Sequence, residues 1–261
     1  MLTMRNNPVN GRVVQRSTVA VHRGAAEMRP MADIPLFQGL DEPAMASVAA
    51  AARRVRFEPD EVVFRQGDAA RAFFILLRGE VKVTEDTPEG DQVVAQYAGV
   101  GDVFGYVSLY GHEEYLATGL AVTSCEALVW DHRTTERLME IHPLLAINAL
   151  RFLGKELTGI RTRYRELATE RVERRVARAL ERLVRQAGRK VDAGVLIDFP
   201  VTRQDLAQLT GTTLHTVSRI LSEWERRGII QSGRRRILIR NPHGLISIAE
   251  DLDTPQHPEI A

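Results

Sequence analysis

Residues 202–228 constrain the fold more than any other segment of the sequence. TRQDLAQLTG begins with a threonine, has an acid three residues later and ends in glycine, a pattern that predicts a short capped helix. TLHTVSRILSEWERRG then carries apolar residues every three or four positions, which predicts a second helix closed by Gly228. Two helices joined by a glycine-bearing turn form a helix-turn-helix. The residues expected to face inward are Leu206, Leu209, Val217, Ile220, Leu221 and, at least in part, Trp224.

The outer face of the second predicted helix is polar near its start. In a DNA-binding helix-turn-helix, the N-terminal residues of this helix enter the major groove, where arginine forks onto O6 and N7 of guanine. The predicted base contacts are His215, Ser218 and Arg219. The predicted phosphate contacts are Thr202, Arg203, Gln204, Thr213 and Thr216. Because many all-helical cores contain a similar turn, a purely structural role for the pair stays open.

Charge is distributed unevenly along the chain, although the net charge is only +1. Residues 1–150 hold 14 Lys/Arg and 20 Asp/Glu, a balance of 14 − 20 = −6, whereas residues 151–261 hold 21 and 14, a balance of 21 − 14 = +7. Of those 21 cations 19 are arginine, which suits forked contacts to phosphates and bases. The asymmetry indicates two modules, of which the second binds a polyanion, with a solvated charged face as the alternative.

The first module is predicted to be mainly β-structure. IPLFQGLDEPAMASVAAAARRVRF indicates a turn and a helix with Asp41 as N-cap. Short β-rich runs interrupted by glycines then follow from about residue 56 to 131, which favours an antiparallel roll or barrel. In the second module, VLIDFP indicates a strand, and IIQSGRRRILIR indicates a basic hairpin, or wing, turning on the two residues Ser232 and Gly233.

A long helix beginning at Pro143 separates the two modules. Its apolar residues are spaced 3, 4, 3, 4 and 3, the spacing of a two-stranded coiled-coil seam. The seam residues are Leu150, Leu153, Leu157, Ile160, Tyr164 and Leu167. We expect a homodimer, while packing of this stripe on its own domain is the alternative.

Residues 34–245 together resemble the Crp/Fnr transcription regulators, through IPLFQGL, FFILLRGEVKV, GDVFG and TRQDLAQLTGTTLHTVSRIL. The resemblance implies an α+β chain that binds double-stranded DNA as a homodimer on a two-fold symmetric operator, with RNA polymerase as a further partner. His215 stands where most relatives carry glutamate, which implies a half-site altered at one base pair. The implied divisions are a flexible arm (1–31), a cyclic-nucleotide-binding-type β-roll that senses an effector (32–142), a dimerisation helix (143–169), a winged helix-turn-helix (170–247) and a tail (248–261).

The resemblance also bears on the effector. Members that bind cyclic AMP pair its phosphate with an Arg-Ser dipeptide, but Tyr115 and Leu116 stand at those positions here and no arginine lies between Arg78 and Arg133. An unpaired buried phosphate costs several kcal/mol, so cyclic nucleotide binding is not expected. Oxygen-sensing members hold an iron–sulfur cluster through several cysteines. Cys125 is the chain's single cysteine, so no iron–sulfur cluster is expected.

The remaining effector hypothesis is an apolar pocket for a flat cofactor. Its predicted lining is Gly105, Tyr106, Val107, Leu109, Tyr115 and Leu116, closed by Ile160 and Arg161. The HTVSR variant also resembles the Nnr/Dnr-type activators that respond to nitric oxide, through haem. The candidate axial ligands are His22, His112, His132 and His142, each with a surface histidine as the alternative. A regulator controlled only by its abundance, or one sensing another small molecule, including a cyclic nucleotide, stays open.

Other function classes are disfavoured by what the sequence lacks. No glycine-rich phosphate loop, nucleophile elbow or His/carboxylate metal motif is present, so an enzyme is not expected. No apolar run approaches the roughly 20 residues of a membrane span, so we expect a soluble, cytoplasmic protein without a membrane partner.

Overall fold

The computed structural model describes residues 31–252. The first part of this range contains a 3-10 turn at Pro35–Phe37, helix α1 at Glu42–Ala51 and then a run of strands. The strands are β1 Arg53–Phe57, β2 Val62–Phe64, β3 Ala72–Arg78, β4 Val81–Asp86, β5 Gln92–Ala98, β6 Val103–Phe104, β7 Thr118–Ala121 and β8 Cys125–Asp131. A second 3-10 turn, Tyr106–Tyr110, lies between β6 and β7, and helices α2 (His132–Ile141) and α3 (Pro143–Thr169) follow β8.

The strands form two four-stranded sheets, in the orders β1-β8-β3-β6 and β2-β7-β4-β5, and every pairing is antiparallel. Strand β3 shows how the sequence produces this arrangement, because successive side chains of a strand point to opposite faces. Phe74 and Leu76 pack into a core shared by the two sheets. Phe73 and Ile75 pack against the helices on the outside. The predicted antiparallel roll is confirmed.

Aspartate side chains cap the first turns of two helices around the roll. Asp41 caps α1 by accepting from Ala44 N at 2.9 Å, as predicted. Helix α2, capped by Asp131, was not anticipated from the sequence. The sequence predicts Met31 within the flexible arm, but its side chain is buried beside Leu36 and Phe37 in the core between the roll and the surrounding helices, so that boundary is wrong by at least one residue. Residues 1–30 lie outside the described range.

Helix α3 first packs on the roll and then leaves it. The side chains of Leu145, Ala149 and Phe152 form its buried face, and the Asn148 amide donates to the carbonyl of Gln38 at 2.7 Å. Farther along, the predicted seam residues project away from this buried face. Those that stay exposed in the single chain are Leu150, Leu157, Ile160, Tyr164 and Leu167. Leu153 is an exception, because it is partly buried against the core that lies between its own roll and the surrounding helices.

The second part of the range is a small helical domain with a four-stranded sheet. Its elements are α4 Val172–Ala187, β9 Gly188–Val191, β10 Gly194–Ile197, α5 Arg203–Thr210, α6 Leu214–Arg226, β11 Ile230–Ser232, β12 Ile237–Ile239 and α7 Pro242–Ala249. The sheet order is β11-β12-β10-β9. Trp224 of α6 is fully buried at the centre of the domain, and its Nε1 donates to Glu173 at 2.9 Å.

Two expectations for this domain need correction. The wing does not turn on two residues, because β11 ends at Ser232 and β12 begins at Ile237. The intervening four-residue loop is closed by a bond of 2.7 Å from Gly233 N to the carbonyl of Arg236. The expected boundary at residue 247 falls inside α7, which continues to Ala249. None of the helices in the described range is long and apolar enough to cross a membrane.

Candidate nucleic-acid interface and effector site

The helix pair α5–α6 is fixed at both of its starts by threonine caps. Thr202 Oγ1 accepts from Asp205 N at 3.0 Å, and the Asp205 carboxylate accepts from Thr202 N at 2.8 Å, so the predicted capping box is present. Thr213 caps α6 by accepting from Thr216 N at 3.1 Å. Gly211, with φ of 58°, makes the left-handed turn between the helices, a conformation that glycine adopts without strain.

The side chains predicted to contact bases are free to do so. His215 and Arg219 are exposed on α6 and Ser218 is half-exposed, while Val217, Ile220 and Leu221 face the core. Within residues 31–252, no hydrogen bond or ion pair engages the side chain of His215, Ser218 or Arg219. The five donors of Arg219 are therefore available for a forked contact.

The predicted phosphate contacts divide into engaged and available groups. The Thr202 hydroxyl donates to Asp205 at 2.7 Å, and the Thr213 and Thr216 hydroxyls are bonded to each other at 2.9 Å. Arg203 donates to the Ser232 hydroxyl at 2.9 Å, which ties the start of α5 to the wing. Gln204 is exposed and makes no side-chain hydrogen bond among the described residues.

Two groups of arginines around the helix pair contribute in different ways. Arg234, Arg235 and Arg236 are exposed in the wing loop, and Arg235 also lines a cavity that Lys82 of the roll and Gln204 of α5 share. Arg175 of α4 donates to the carbonyls of Thr210 at 3.0 Å and Gly211 at 3.4 Å, and so holds the last turn of α5. Nothing in the sequence pattern distinguishes Arg175 from the other arginines of α4, so sequence reasoning missed it.

The interior of the β-roll near the predicted effector pocket is filled by stacked rings. Phe64 lies 4.3 Å from Tyr115, 5.8 Å from Phe74 and 6.2 Å from Phe104, measured between ring centroids. A β-carbon added at Gly119 would come within 2.8 Å of the Phe64 ring, so this glycine is what lets the ring lie flat against the sheet. We call these four rings the aromatic cluster.

The structure does not gather the predicted effector-pocket residues around one cavity. Tyr115 belongs to the aromatic cluster, where it is buried and its hydroxyl donates to the carbonyl of Ala72 at 2.6 Å. This burial raises the pKa of the Tyr115 phenol to about 12. Leu116, the next residue, points the other way and is about half exposed. Gly105, Val107 and Leu109 are half-buried in or beside the 3-10 turn.

Helix α3 covers that turn with residues other than those predicted. The ring of Tyr106 meets Phe152 edge to face, with centroids 5.2 Å apart, and its hydroxyl donates to Glu156 at 3.2 Å. Ile160 and Arg161 lie one turn farther along α3 and are exposed. Within the single chain, Phe152 and Glu156 therefore occupy the place expected of Ile160 and Arg161.

The candidate haem ligands differ in what their rings contact. Nδ1 of His112 lies 2.7 Å from the carbonyl of Glu114, and the ring is exposed. Nδ1 of His132 lies 3.0 Å from the carbonyl of Ser108, while its Nε2 is 3.3 Å from Glu136. His142 has a buried Nε2 without a hydrogen-bond partner. His22 lies outside the described residues. Across residues 31–252, no cluster of three or more His, Cys, Asp or Glu side chains is placed to hold a metal ion.

Side chains of the roll and of the DNA-binding domain also contact each other directly, and we call this contact the junction. The Lys82 ammonium lies 3.0 Å from the Asp205 carboxylate, and Gln186 donates to Glu80 at 3.0 Å. Burial raises the pKa of the Glu80 carboxyl to about 8, the charge of Asp102 adds to the rise, and the Gln186 hydrogen bond opposes it. Glu80 therefore keeps its proton to a higher pH than an exposed glutamate does.

Family comparisons match both halves of the chain. A cyclic nucleotide-binding domain matches residues 54–142, and a Crp-like helix-turn-helix domain matches residues 174–248. The nitrogen fixation regulation protein FixK of Bradyrhizobium diazoefficiens is 30% identical over 183 residues, which cover 68% of this chain and 74% of that protein. The cyclic AMP receptor protein of Thermus thermophilus is 29% identical, over 82% of this chain and 96% of the relative.

A third relative and one solved structure agree with these matches. The CRP-like cAMP-activated global transcriptional regulator of Mycobacterium tuberculosis is 24% identical, over 80% of this chain and 94% of its own length. Among solved structures, FixK2 from Bradyrhizobium japonicum has a TM-score of 0.67 at 23% identity, over 76% of this chain and 96% of that one. That structure shares the arrangement of roll, long helix and helix-turn-helix.

Proposed function

The chain belongs to the Crp/Fnr family of transcription regulators, and we propose that it binds a two-fold symmetric operator in double-stranded DNA as a homodimer. Its relatives are regulators rather than enzymes. The observation that carries the proposal is the exposed, unpartnered start of α6, where His215 and Arg219 face outward while the opposite face of the same helix is buried around Trp224. RNA polymerase is the further partner that the family resemblance implies.

The proposed base contacts have distinct roles. Arg219 forks onto a guanine, since both ends of its guanidinium are free. Ser218 and His215 contact neighbouring base edges, and the imidazole donates where relatives with glutamate accept. Backbone contact comes from Gln204 and the wing arginines, with the capped threonines holding the helix ends in place.

The proposed dimer interface is the exposed apolar stripe of α3. It presents five large hydrophobic side chains along a helix whose first part already buries another face on the roll. Large exposed apolar patches are uncommon on monomers and mark interaction surfaces. A coiled-coil pairing would bury the stripe against the same stripe of a second copy, which places one α6 on each side of a two-fold axis.

We propose that the roll does not respond to a cyclic nucleotide, although two of the relatives are named for cyclic AMP. Lys82 is the one lysine or arginine between Arg78 and Arg133 in the sequence that could pair with a phosphate, and its ammonium is already paired with Asp205. The aromatic cluster fills the interior, and the Tyr115 phenol offers no charge to a phosphate. Titration calorimetry with cyclic AMP and cyclic GMP at tens of micromolar should give no binding heat. A saturable isotherm with one site per subunit would overturn this part of the proposal.

We propose nitric oxide acting through haem as the effector, as in the Nnr/Dnr-type subgroup that the HTVSR motif resembles, with control of nitrogen-oxide metabolism genes. Among the described histidines, His112 suits an axial ligand best. Metal-bound histidines commonly donate one ring N–H to a main-chain carbonyl, and Nδ1 of His112 has this contact while its ring is exposed. Haem would supply the iron that binds nitric oxide, and this chain would supply the imidazole and the exposed ring of Tyr110, whose centroid lies 6.3 Å from that of His112.

Absorption spectra of the protein reconstituted with haem test this effector. The wild type and His142→Ala should show the same saturable Soret shift, whereas His112→Ala should lose it. Binding that survives in His112→Ala would contradict the assignment of the ligand. No saturable haem binding by the wild type would contradict the effector itself and favour a regulator controlled by its abundance. Operator binding by the apoprotein is measured separately, so failure here leaves the DNA-binding proposal standing.

A further inference from the structure

A lysine of the roll reaches directly into the DNA-binding domain. Lys82 lies on β4, and its ammonium is 3.0 Å from Oδ1 of Asp205, the third residue of α5. The two side chains are only 19% and 9% exposed. They are 123 positions apart in the chain, and they connect the sheet that would sense an effector to the first helix of the helix-turn-helix.

The Asp205 carboxylate makes two kinds of contact at once. Oδ1 accepts from Lys82, while Oδ2 accepts from the main-chain N–H and the hydroxyl of Thr202, at 2.8 and 2.7 Å. Burial alone would raise the pKa of the Asp205 carboxyl, but the hydrogen bonds from Thr202 and the Lys82 ammonium outweigh burial and hold the pKa below its usual range. The group that caps α5 is therefore the same group that anchors α5 to the roll.

Apolar packing from the roll also reaches α5 beside this pair, because Val94 and Tyr97 of β5 belong to the same buried core as Leu206 and Ala207 of α5. A cavity of about 280 Å³ separates the two domains there, and Lys82, Gln92, Gln204 and Gln208 line it. Within this shared core, Tyr97 of β5 meets Phe199 at 4.8 Å between ring centroids. Apolar packing holds the domains together without fixing directions as sharply as a hydrogen-bonded ion pair does, so the Lys82–Asp205 pair adds an oriented contact at the edge of the cavity.

We propose that Lys82 is a positioning residue for DNA recognition, which acts through Asp205 to fix the orientation of α5 and α6 relative to α3. The inference rests on the proposed function, since it concerns how a dimer presents its two α6 helices. Half-sites recognised by such a dimer lie about one helical turn apart, and that separation is set by how each helix-turn-helix is held on its subunit. A loosened junction lets each α6 settle over a range of separations.

The predicted consequence concerns the spacing between half-sites and leaves the bases within them unchanged. Lys82 does not reach the α6 face, so the side chains that contact bases are the same with or without it. A dimer without the pair should accept half-sites moved by one or two base pairs that the wild type rejects. A role confined to folding stability would lower the unfolding temperature and leave the preferred spacing unchanged.

The test is a binding-site selection in which the same half-site is presented at five spacings, at one fixed salt concentration. Lys82→Met keeps most of the aliphatic stem and removes the charge, Lys82→Arg keeps the charge, and Lys190→Met removes an exposed lysine of β9 as the matched control. The wild type, Lys82→Arg and Lys190→Met should each favour one spacing by at least tenfold over its neighbours. Lys82→Met should reduce this preference to about threefold or less while selecting the same half-site bases.

The outcomes separate the two proposals. A spacing preference in Lys82→Met equal to that of the wild type would overturn the role of Lys82 and leave the proposed function intact. Absence of any sequence selection by the wild type would overturn the proposed function itself. If Lys82→Met does not fold, Lys82→Gln in the same selection takes its place, with circular dichroism to confirm its helix content.

Discussion

Replacing Leu157 and Ile160 with glutamate should separate the subunits. These side chains are 59% and 50% exposed in the single chain. Burying a whole leucine or isoleucine side chain stabilises by about 1.5–3 kcal/mol, so covering the exposed half contributes about 1 kcal/mol for each. Two residues in each of two subunits then contribute about 4 kcal/mol, which corresponds to a dimer dissociation constant weaker by about a thousandfold. The introduced carboxylates add to this loss, because each would be buried in an apolar seam.

Sedimentation equilibrium over a range of protein concentrations measures this effect. Thr158→Glu is the matched control, since Thr158 is exposed on α3 but lies off the apolar stripe. The control should dimerise like the wild type, and circular dichroism should show the same helix content in all three proteins. A dissociation constant for the double variant within tenfold of the wild-type value would refute the assignment of this stripe as the dimer seam.

Three further perturbations probe the junction, the roll and the helix cap. The Glu80 carboxyl has a pKa of about 8 in the folded chain and about 4.5 when unfolded, so the folded state binds the extra proton between these values and stability should fall as pH rises through that window. Glu80→Gln should flatten this slope of the unfolding midpoint against pH, and an unchanged slope would contradict the assignment. Phe64→Ala should destabilise the roll by about 3–5 kcal/mol in urea unfolding, because it opens the centre of the aromatic cluster. A loss below about 1 kcal/mol would mean that the rings do not form a packed core. Thr202→Ala should cost about 1 kcal/mol of stability through the lost cap, and should weaken DNA binding evenly across sequences, whereas a change in the preferred sequence would place Thr202 on a base.

Local structure could be predicted wherever neighbouring residues determine it. The alternation in β3 follows from a period of two, and the capping box of α5 follows from a threonine and an acid three residues apart. Helix α2 was missed because its buried face is small, with Leu138 and Thr135 buried in ten largely polar residues. Ser-Gly predicts a two-residue turn because this dipeptide is common in tight turns, whereas the observed loop has four residues and is closed by the bond from Gly233 N to the carbonyl of Arg236.

Features that depend on distant residues could not be predicted from the sequence. The sequence predicts Tyr115 in the lining of an apolar pocket, but Phe64, 51 positions earlier, stacks on its ring within the core. The Lys82–Asp205 pair joins two domains whose relative placement no local pattern encodes. The outward-facing residues at the start of α6 could be predicted, because the inner face of this helix is apolar at helical spacing and the remaining positions must then face outward.

Helix α6 is expected to select the operator sequence. Selection of random duplex DNA at one fixed salt concentration, with the wild type, Arg219→Ala and His215→Glu, tests it most directly. The wild type should enrich two symmetric half-sites about one helical turn apart. Arg219→Ala should bind that sequence more weakly by about 1–3 kcal/mol and lose selectivity at one symmetric pair of positions, and His215→Glu should change the preferred base at one other pair. Recovery of the same preferred sequence by all three proteins would contradict the claim that this helix contacts the bases.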